Sequence, residues 1–252
     1  MKSKPVLSVI LPCYNEANNL KRGVLQQVAD YLDKQSYPYE VIVSDDGSSD
    51  ESRQLVKQFK HAKFVLLANP HQGKAGALRF GLNKARGQYV LFADMDQSTP
   101  IEELDKLWPL KEKFPIVIGS RGKGRENFPV YRQVASTLFR HFRKLLLLRQ
   151  IDDTQCGFKL IKTQVARQLF DKMTIFADKE VQGWTVAAWD VEFLYLAQKF
   201  GFPVKEVKVE WRNEDVSESK NRSVNKFVYE SYQMLVQVLR VRLNDISGKY
   251  DS

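Results

Sequence analysis

"GKAGALRFGLNKARGQYVLFADMDQST" (73–99) is the stretch that decides how this chain folds. Its first part, 73–86, sets small and apolar residues at helical spacing behind a glycine-rich start. Its second part, 89–96, is a run of strand formers that ends on two carboxylates, Asp94 and Asp96. A helix feeding straight into a buried strand is one unit of a mostly parallel sheet. The acids need a reason, because a buried carboxylate is costly unless it is paired, hydrogen-bonded or bound to a metal.

The same unit recurs on both sides. Strands are predicted at 6–12, 40–46, 63–68 and 115–120, and helices near 16–34, 49–60 and 101–113. This is an α/β class, a mostly parallel sheet sandwiched by helices, in which ligands bind beyond the carboxyl ends of the strands. Those ends carry Pro12, Tyr14, Asn15 and Glu16 after the first strand, and Asp45, Asp46, Gly47 and Ser48 after the second. Ser48 or Ser49, with Glu51 in the first turn, reads as the cap of the following helix. Capping does not account for three acidic strand ends on one edge, so a site is expected there. Gly73 and Gly76 allow close backbone approach, and Lys74 is placed to reach a phosphate at the helix N-terminus.

The chain of 252 residues, 43% hydrophobic and 27% charged, is long enough for one large core. Its net charge of +9 favours anionic partners. No nucleic-acid motif accompanies that charge, so nucleic acid is not expected as a partner. No apolar run reaches the roughly 18 to 20 residues that span a bilayer. The start, "PVLSVILPCYNE", turns polar too soon for a signal peptide. Cys13 and Cys156 lack metal-ligand spacing and fit a reducing compartment. A cytoplasmic protein is expected.

Beyond residue 120 the alternation stops. The segment 128–149 lacks Asp and Glu; Tyr131, Val134, Leu138, Phe142 and Leu145 share one helical face, and Arg132, Arg140 and Arg143 another. It reads either as a core helix with a basic back or as a helix lying on an anionic membrane surface. A second amphipathic stretch, 224–243, repeats the pattern more weakly, with packing or dimerisation as the simpler account. The expected layout is a single domain over 1–245, with a nucleotide-binding half at 1–120, an acceptor half at 121–245, and a flexible tail at 246–252. Oligomeric state stays open.

"SVILPCYNEANNL", "VIVSDDGSSDES", "GKAGALRFGLNKARGQYVLFADMD" and "GSR" together resemble the nucleotide-sugar-binding half of glycosyltransferase family 2, whose fold is GT-A. "DDTQCGFKLI" (152–161), "WDVEFLYLAQKFGFPVKEVKVEW" (189–211) and "SESKNRS" (217–223) are similar to the dolichyl-phosphate β-glucosyltransferases and the related dolichol-phosphate-mannose synthases. The resemblance implies inverting transfer of a hexose from UDP-glucose or GDP-mannose to a polyprenyl or dolichyl phosphate at a membrane surface, with peripheral attachment. It implies that Pro12, Tyr14 and Glu16 contact the nucleotide and that Asp46 binds the base. Asp94 and Asp96 become the DxD motif with Met95 between them, Asp96 ligating Mg²⁺ or Mn²⁺ and Asp94 beside it. Arg121 falls on the acceptor side, and Lys220 and Arg222 near the diphosphate or the lipid phosphate. Two residues past the motif stands Ser98 rather than the glutamine of the mannosyl enzymes, which tilts the donor toward UDP-glucose.

Hard divalent ions take oxygen ligands, often only one or two from protein, and neutralise a departing diphosphate. Lys74, Lys220 and Arg222 would add charge. A phosphate acceptor, already an anion, needs cations, and Arg121, Arg125 and Arg132 are at hand. A hydroxyl acceptor needs a carboxylate base, for which Asp190 or Glu192 stands ready, though either could equally be a first-turn charge on a helix. A haloacid-dehalogenase phosphatase, suggested by "DMDQST", is disfavoured because that motif belongs after the first strand. An inactive nucleotide- or lipid-binding scaffold remains the non-enzymatic reading.

Overall fold

A computed structural model describes residues 4–122, 147–148, 151–176, 189–212, 214 and 224–251. The strands are β1 (Leu7–Cys13), β2 (Tyr39–Asp45), β3 (Phe64–Ala68), β4 (Tyr89–Phe92), β5 (Ile116–Ser120), β6 (Lys159–Lys162) and β7 (Val204–Lys208). They form one sheet in the order β3-β2-β1-β4-β6-β5-β7. Every pairing is parallel except those of β6, which runs against both β4 and β5. The expected mixed, mostly parallel sheet between helices is therefore found, with two strands, β6 and β7, that the sequence periodicity did not mark.

The helices are α1 (Ala17–Lys21), α2 (Val24–Leu32), α3 (Ser52–Gln58), α4 (Gly73–Lys84), α5 (Leu104–Leu107), α6 (Thr163–Lys172), α7 (Trp189–Lys199) and α8 (Val224–Ile246). The helix predicted over 16–34 is two, because Gly23 adopts φ +81 between them. That over 101–113 is reduced to α5 with a 3₁₀ turn on each side, since Pro109 cannot continue the α ladder. The strand predicted to 96 ends at Phe92, so Asp94 and Asp96 lie in the turn beyond it.

Side chains alternate across the sheet, so Val9, Leu11 and Leu91 enter one core with Val24, Leu25, Val28 and Leu104. Ile10, Phe92 and Ile118 enter the other with Leu78, Leu169, Phe193, Val238 and Val241. The second core includes the C-terminus. The tail expected to be flexible is packed instead: Tyr250 is buried, and its hydroxyl donates to Glu192 Oε1 at 2.8 Å. Asp251 pairs with Lys199 at 2.6 Å. The segment 128–149, apart from Leu147 and Leu148, lies outside the described residues, as do Arg125, Arg132, Lys220 and Arg222.

Candidate active site

Two groups of polar residues meet at the carboxyl edge of β1, β2 and β4. In the first, Asn15 is held at φ +54 and its Oδ1 accepts the Ser49 N–H at 2.9 Å. Ser48 Oγ accepts from Asn15 N–H, Ser52 Oγ from Glu16 N–H, and Asp50 from Ala17 N–H. The serines thus do not cap the helix after β2, since α3 begins behind Glu51 without a side-chain cap. Ser52 and Asp50 instead take the N–H groups of Glu16 and Ala17 at the start of α1, and Ser48 that of Asn15 just before it, because α1 opens directly off β1 beside them.

The neighbouring acids divide their roles. Asp45 is fully buried and accepts from the Gly47 N–H and from Arg53, which closes the turn. Asp46 Oδ1 accepts the Gln72 N–H at 2.8 Å, and its Oδ2 lies 2.9 Å from His71 Nδ1. Burial pushes the Asp46 carboxyl above its usual range, against the pull of these partners. The first turn of α4 therefore meets Asp46, not a vacant phosphate cradle. His71 stacks on Tyr14 with ring centroids 4.5 Å apart. Tyr14, His71 and Asp46 make a flat aromatic ledge beside a carboxylate, a shape on which a planar base can stack and hydrogen-bond. His71 carried no signal in the sequence beyond its place before the glycine-rich turn. Pro12 lies one residue before the end of β1, opposite Ser44. Glu16 accepts from the Asn19 side chain, and the Met95 side chain is buried in the apolar core rather than turned to the cleft.

The second group answers what neutralises the acids after β4. Lys74, from the first turn of α4, bonds Asp94. Because β6 runs antiparallel, its first residue, Lys159, stands level with Phe92 at the same edge. Lys159 is fully buried and donates to Asp190 Oδ1 at 2.6 Å, to Thr154 O at 3.2 Å, and to Cys156 O, with its Nζ 5.3 Å from the Trp189 ring centroid. Burial alone would raise the Asp94 carboxyl, but Lys74, Lys159 and Arg121 hold it below its ordinary value. Burial likewise opposes the Lys74 charge, yet Asp94, Asp190 and Asp96 raise its pKa overall. Asp190 goes up: desolvation outweighs Lys159 and Lys74. Asp96 accepts the Ser98 N–H at 2.8 Å.

The loop 152–158 is fastened over this group. Glu206 of β7 accepts the N–H groups of Asp152 and Asp153 at 2.8 Å each. Asp153 in turn takes Nε and Nη2 of Arg121 at 2.8 Å each and the Arg121 N–H at 3.0 Å. Gly157 lies so close to Asp94 that a Cβ there would meet its carboxylate Cγ at 2.6 Å. Arg121 keeps its charge near Asp94 and is held in place there by Asp153.

Neither expected base is unoccupied. Asp190 is paired with Lys159. Glu192 is buried and accepts from Thr174 N–H and Oγ1, Ile175 N–H, the Tyr250 hydroxyl and Arg240. Its work is to tie α7 to α8 and the C-terminus. Both cysteines are buried; burial pushes Cys13 up to about 12 and also raises Cys156, which excludes a reactive thiol. Among the described residues, no three His, Cys, Asp or Glu side chains form a metal-holding cluster.

The family model for glycosyl transferase family 2 matches residues 8–170. The dolichyl-phosphate beta-glucosyltransferase of Drosophila melanogaster is 38% identical, over 84% of this chain and 68% of its own length. That of Homo sapiens is 31% identical over 97% of this chain and 77% of its own. Among solved structures, mannosyl-3-phosphoglycerate synthase from Rubrobacter xylanophilus superposes with a TM-score of 0.69 at 18% identity, covering 96% of this chain and 75% of that one. Glucosyl-3-phosphoglycerate synthase from Mycobacterium tuberculosis, in complex with Mn²⁺ and UDP-glucose, does so with a TM-score of 0.63 at 19% identity, covering 94% and 79%. These structures share the fold.

Proposed function

We infer the reaction from one premise: the chain belongs to glycosyltransferase family 2, has the GT-A fold and is a glycosyltransferase. It moves glucose from UDP-glucose to a polyprenyl phosphate of the dolichyl type; the names of its relatives state glucosyl transfer to dolichyl phosphate for them, and UDP-glucose is the sugar nucleotide bound in a solved structure of the same fold. In this reading an acceptor phosphate oxygen forms a bond to the anomeric carbon while the bond to the UDP oxygen breaks, and UDP leaves with the electron pair. Glucose is α-linked in UDP-glucose and β-linked in the product, so the attack is from the opposite face.

The observation that carries this choice of acceptor is the occupation of both candidate bases. A hydroxyl acceptor must lose its proton to a carboxylate. Asp190 is bound to Lys159, and Glu192 has five donors. A phosphate is already an anion and needs no base. It needs a positive field, which Lys74, Lys159 and Arg121 contribute around Asp94.

Tyr14, His71 and Asp46 are assigned to the base of the nucleotide, with Pro12 and Glu16 at its edge and Lys74 near the diphosphate. Asp94 and Asp96 suit a divalent ion, Mg²⁺ or Mn²⁺: both are carboxylates, half-buried just past a strand end, and with no third ligand among the described residues the remaining positions would fall to the phosphates of the donor. Such an ion supplies charge neutralisation to the leaving diphosphate. Lys220 and Arg222 remain assigned by resemblance to the phosphates. Peripheral attachment to a membrane is part of the proposal, and no helix among the described residues is long and apolar enough to cross one.

Purified protein with UDP-glucose or GDP-mannose, Mg²⁺ or Mn²⁺, and either polyprenyl phosphate or polyprenol tests the reading. Rapid UDP release and glucosyl-lipid formation only with UDP-glucose and polyprenyl phosphate are expected. Equal rates with polyprenol would restore the hydroxyl-acceptor reaction and refute the proposal. Asp96→Ala should lower transfer at least about a hundredfold with melting temperature preserved; parental activity at saturating metal would remove Asp96 from the site.

A further inference from the structure

α8 presents its sides the wrong way round for a helix on a soluble protein. Its inner side carries polar groups: Gln237, Asn244 and Arg240 sit beside Val238 and Val241, with Asn244 Nδ2 donating to Thr174 Oγ1 at 2.9 Å and Arg240 bonding Glu192. Its outer side carries Tyr232, Leu235, Val236, Leu239, Leu243 and Ile246, from 36% to 69% exposed. Of the eight large apolar side chains exposed among the described residues, these are six. At 100° per residue they share one arc, and the stripe runs about 21 Å along the axis. A contiguous exposed apolar stripe of this kind marks an interaction surface.

We propose that the outer face of α8 lies in the head-group region of an anionic phospholipid bilayer and brings the catalytic cleft to the membrane surface. Three observations choose lipid over a second copy of the chain. First, among the described residues the stripe is one helix wide; a stable protein interface needs about 800 Å² and 20 to 30 residues on each side, whereas lipid needs no complementary surface. Second, no carboxylate interrupts it: the acid nearest the stripe in sequence, Asp245, is paired with Lys199 and with Arg242, which flanks the stripe. The chain carries +9 overall, suited to anionic head groups. Third, the helix that carries the stripe is tied to the site from its opposite side. Gln155 donates to Met234 Sδ at 3.2 Å, joining α8 to the loop that carries Gly157 over Asp94. The reason for such a surface rests on the proposed polyprenyl phosphate acceptor, whose phosphate sits in the head-group plane.

The test compares the parent with Leu239→Asp/Leu243→Asp on vesicles of phosphatidylcholine containing roughly a quarter phosphatidylserine. The parent should sediment with vesicles, and the variant should bind at least about tenfold less while keeping its melting temperature. Transfer to a short, water-soluble polyprenyl phosphate should be unchanged, and transfer to vesicle-embedded acceptor should fall with binding. Tyr232→Trp should shift its emission to the blue on the same vesicles, a readout that does not depend on the double variant folding. A parent that ignores vesicles, a variant that binds like the parent, or an unshifted tryptophan overturns the proposal. So does a dimer by light scattering that the double substitution dissociates. If vesicle binding drops as expected but neither protein glucosylates the soluble acceptor, the surface stands and the proposed reaction fails.

Discussion

Gly157→Ala tests the site most sharply. The backbone of residue 157 does not need a left-handed conformation, so alanine brings no backbone strain. What it brings is a methyl group against Asp94, whose Cγ and Oδ1 would both lie 2.6 Å from the new Cβ. Ordinary contact begins near 3.4 Å. The loop cannot simply lift away, since Glu206, Arg121 and Lys159 fasten it from three sides. Asp94 must therefore move by roughly 1 Å, and a displacement of that size at a reacting centre costs on the order of 10²-fold in rate. The carboxylate is half-exposed and has room to turn outward, so the fold should survive. The expected result is a loss of kcat/KM for glucosyl transfer of about a hundredfold, a melting temperature within a few degrees of the parent, and a weakened thermal shift with UDP and Mn²⁺. Parental kcat/KM in a folded Gly157→Ala protein would show that Asp94 is not where the chemistry needs it.

Other expectations follow from the same network. Lys159→Met should cost about 3 to 5 kcal/mol by leaving Asp190 buried and unpaired, and Lys159→Met/Asp190→Leu should recover most of that stability without recovering activity; denaturant unfolding and a transfer assay read both. Asp153 is buried, which alone would raise its carboxyl, but Arg121 holds it well below the usual carboxylate range. Its contribution is thus present above the ordinary carboxylate pKa of about 4 and lost as pH falls through the lower folded value. Asp153→Asn should be less stable than the parent near pH 7, and the gap should narrow on acidification below about pH 4 in urea titrations. Glu192→Ala should cost at least about 3 kcal/mol by orphaning several buried donors, and Tyr250→Phe about 1 kcal/mol, with specific activity of the folded protein unchanged in the second.

Much of the first half was legible because it is built from local signals. Strand formers in β1, β2 and β4, alternating with helical periods, specify buried parallel strands, and such strands put their loops on one edge. Asp46, Asp94 and Lys74 could be placed together on that ground. The serines after β2 misled because side-chain capping was assumed within their own helix, whereas their acceptors were needed by α1, some 30 residues earlier. The tail misled because nothing local announces that Tyr250 reaches Glu192.

By itself, then, the sequence determined the alternation, the acidic edge and, through its motifs, the reaction class. Only the tertiary structure decided which cations face those acids. Lys159 belongs to a short strand, and its partner Asp190 opens a helix 31 residues later. They meet Asp94 because β6 enters the sheet reversed, which puts its first residue at the edge where β4 ends. Strand direction is set by long-range pairing and by the burial of both sheet faces, and neither leaves a mark in the spacing of residues. The same holds for α8: its period is visible in the sequence, but which side turns outward depends on Glu192 and Thr174, which hold its polar side against the core.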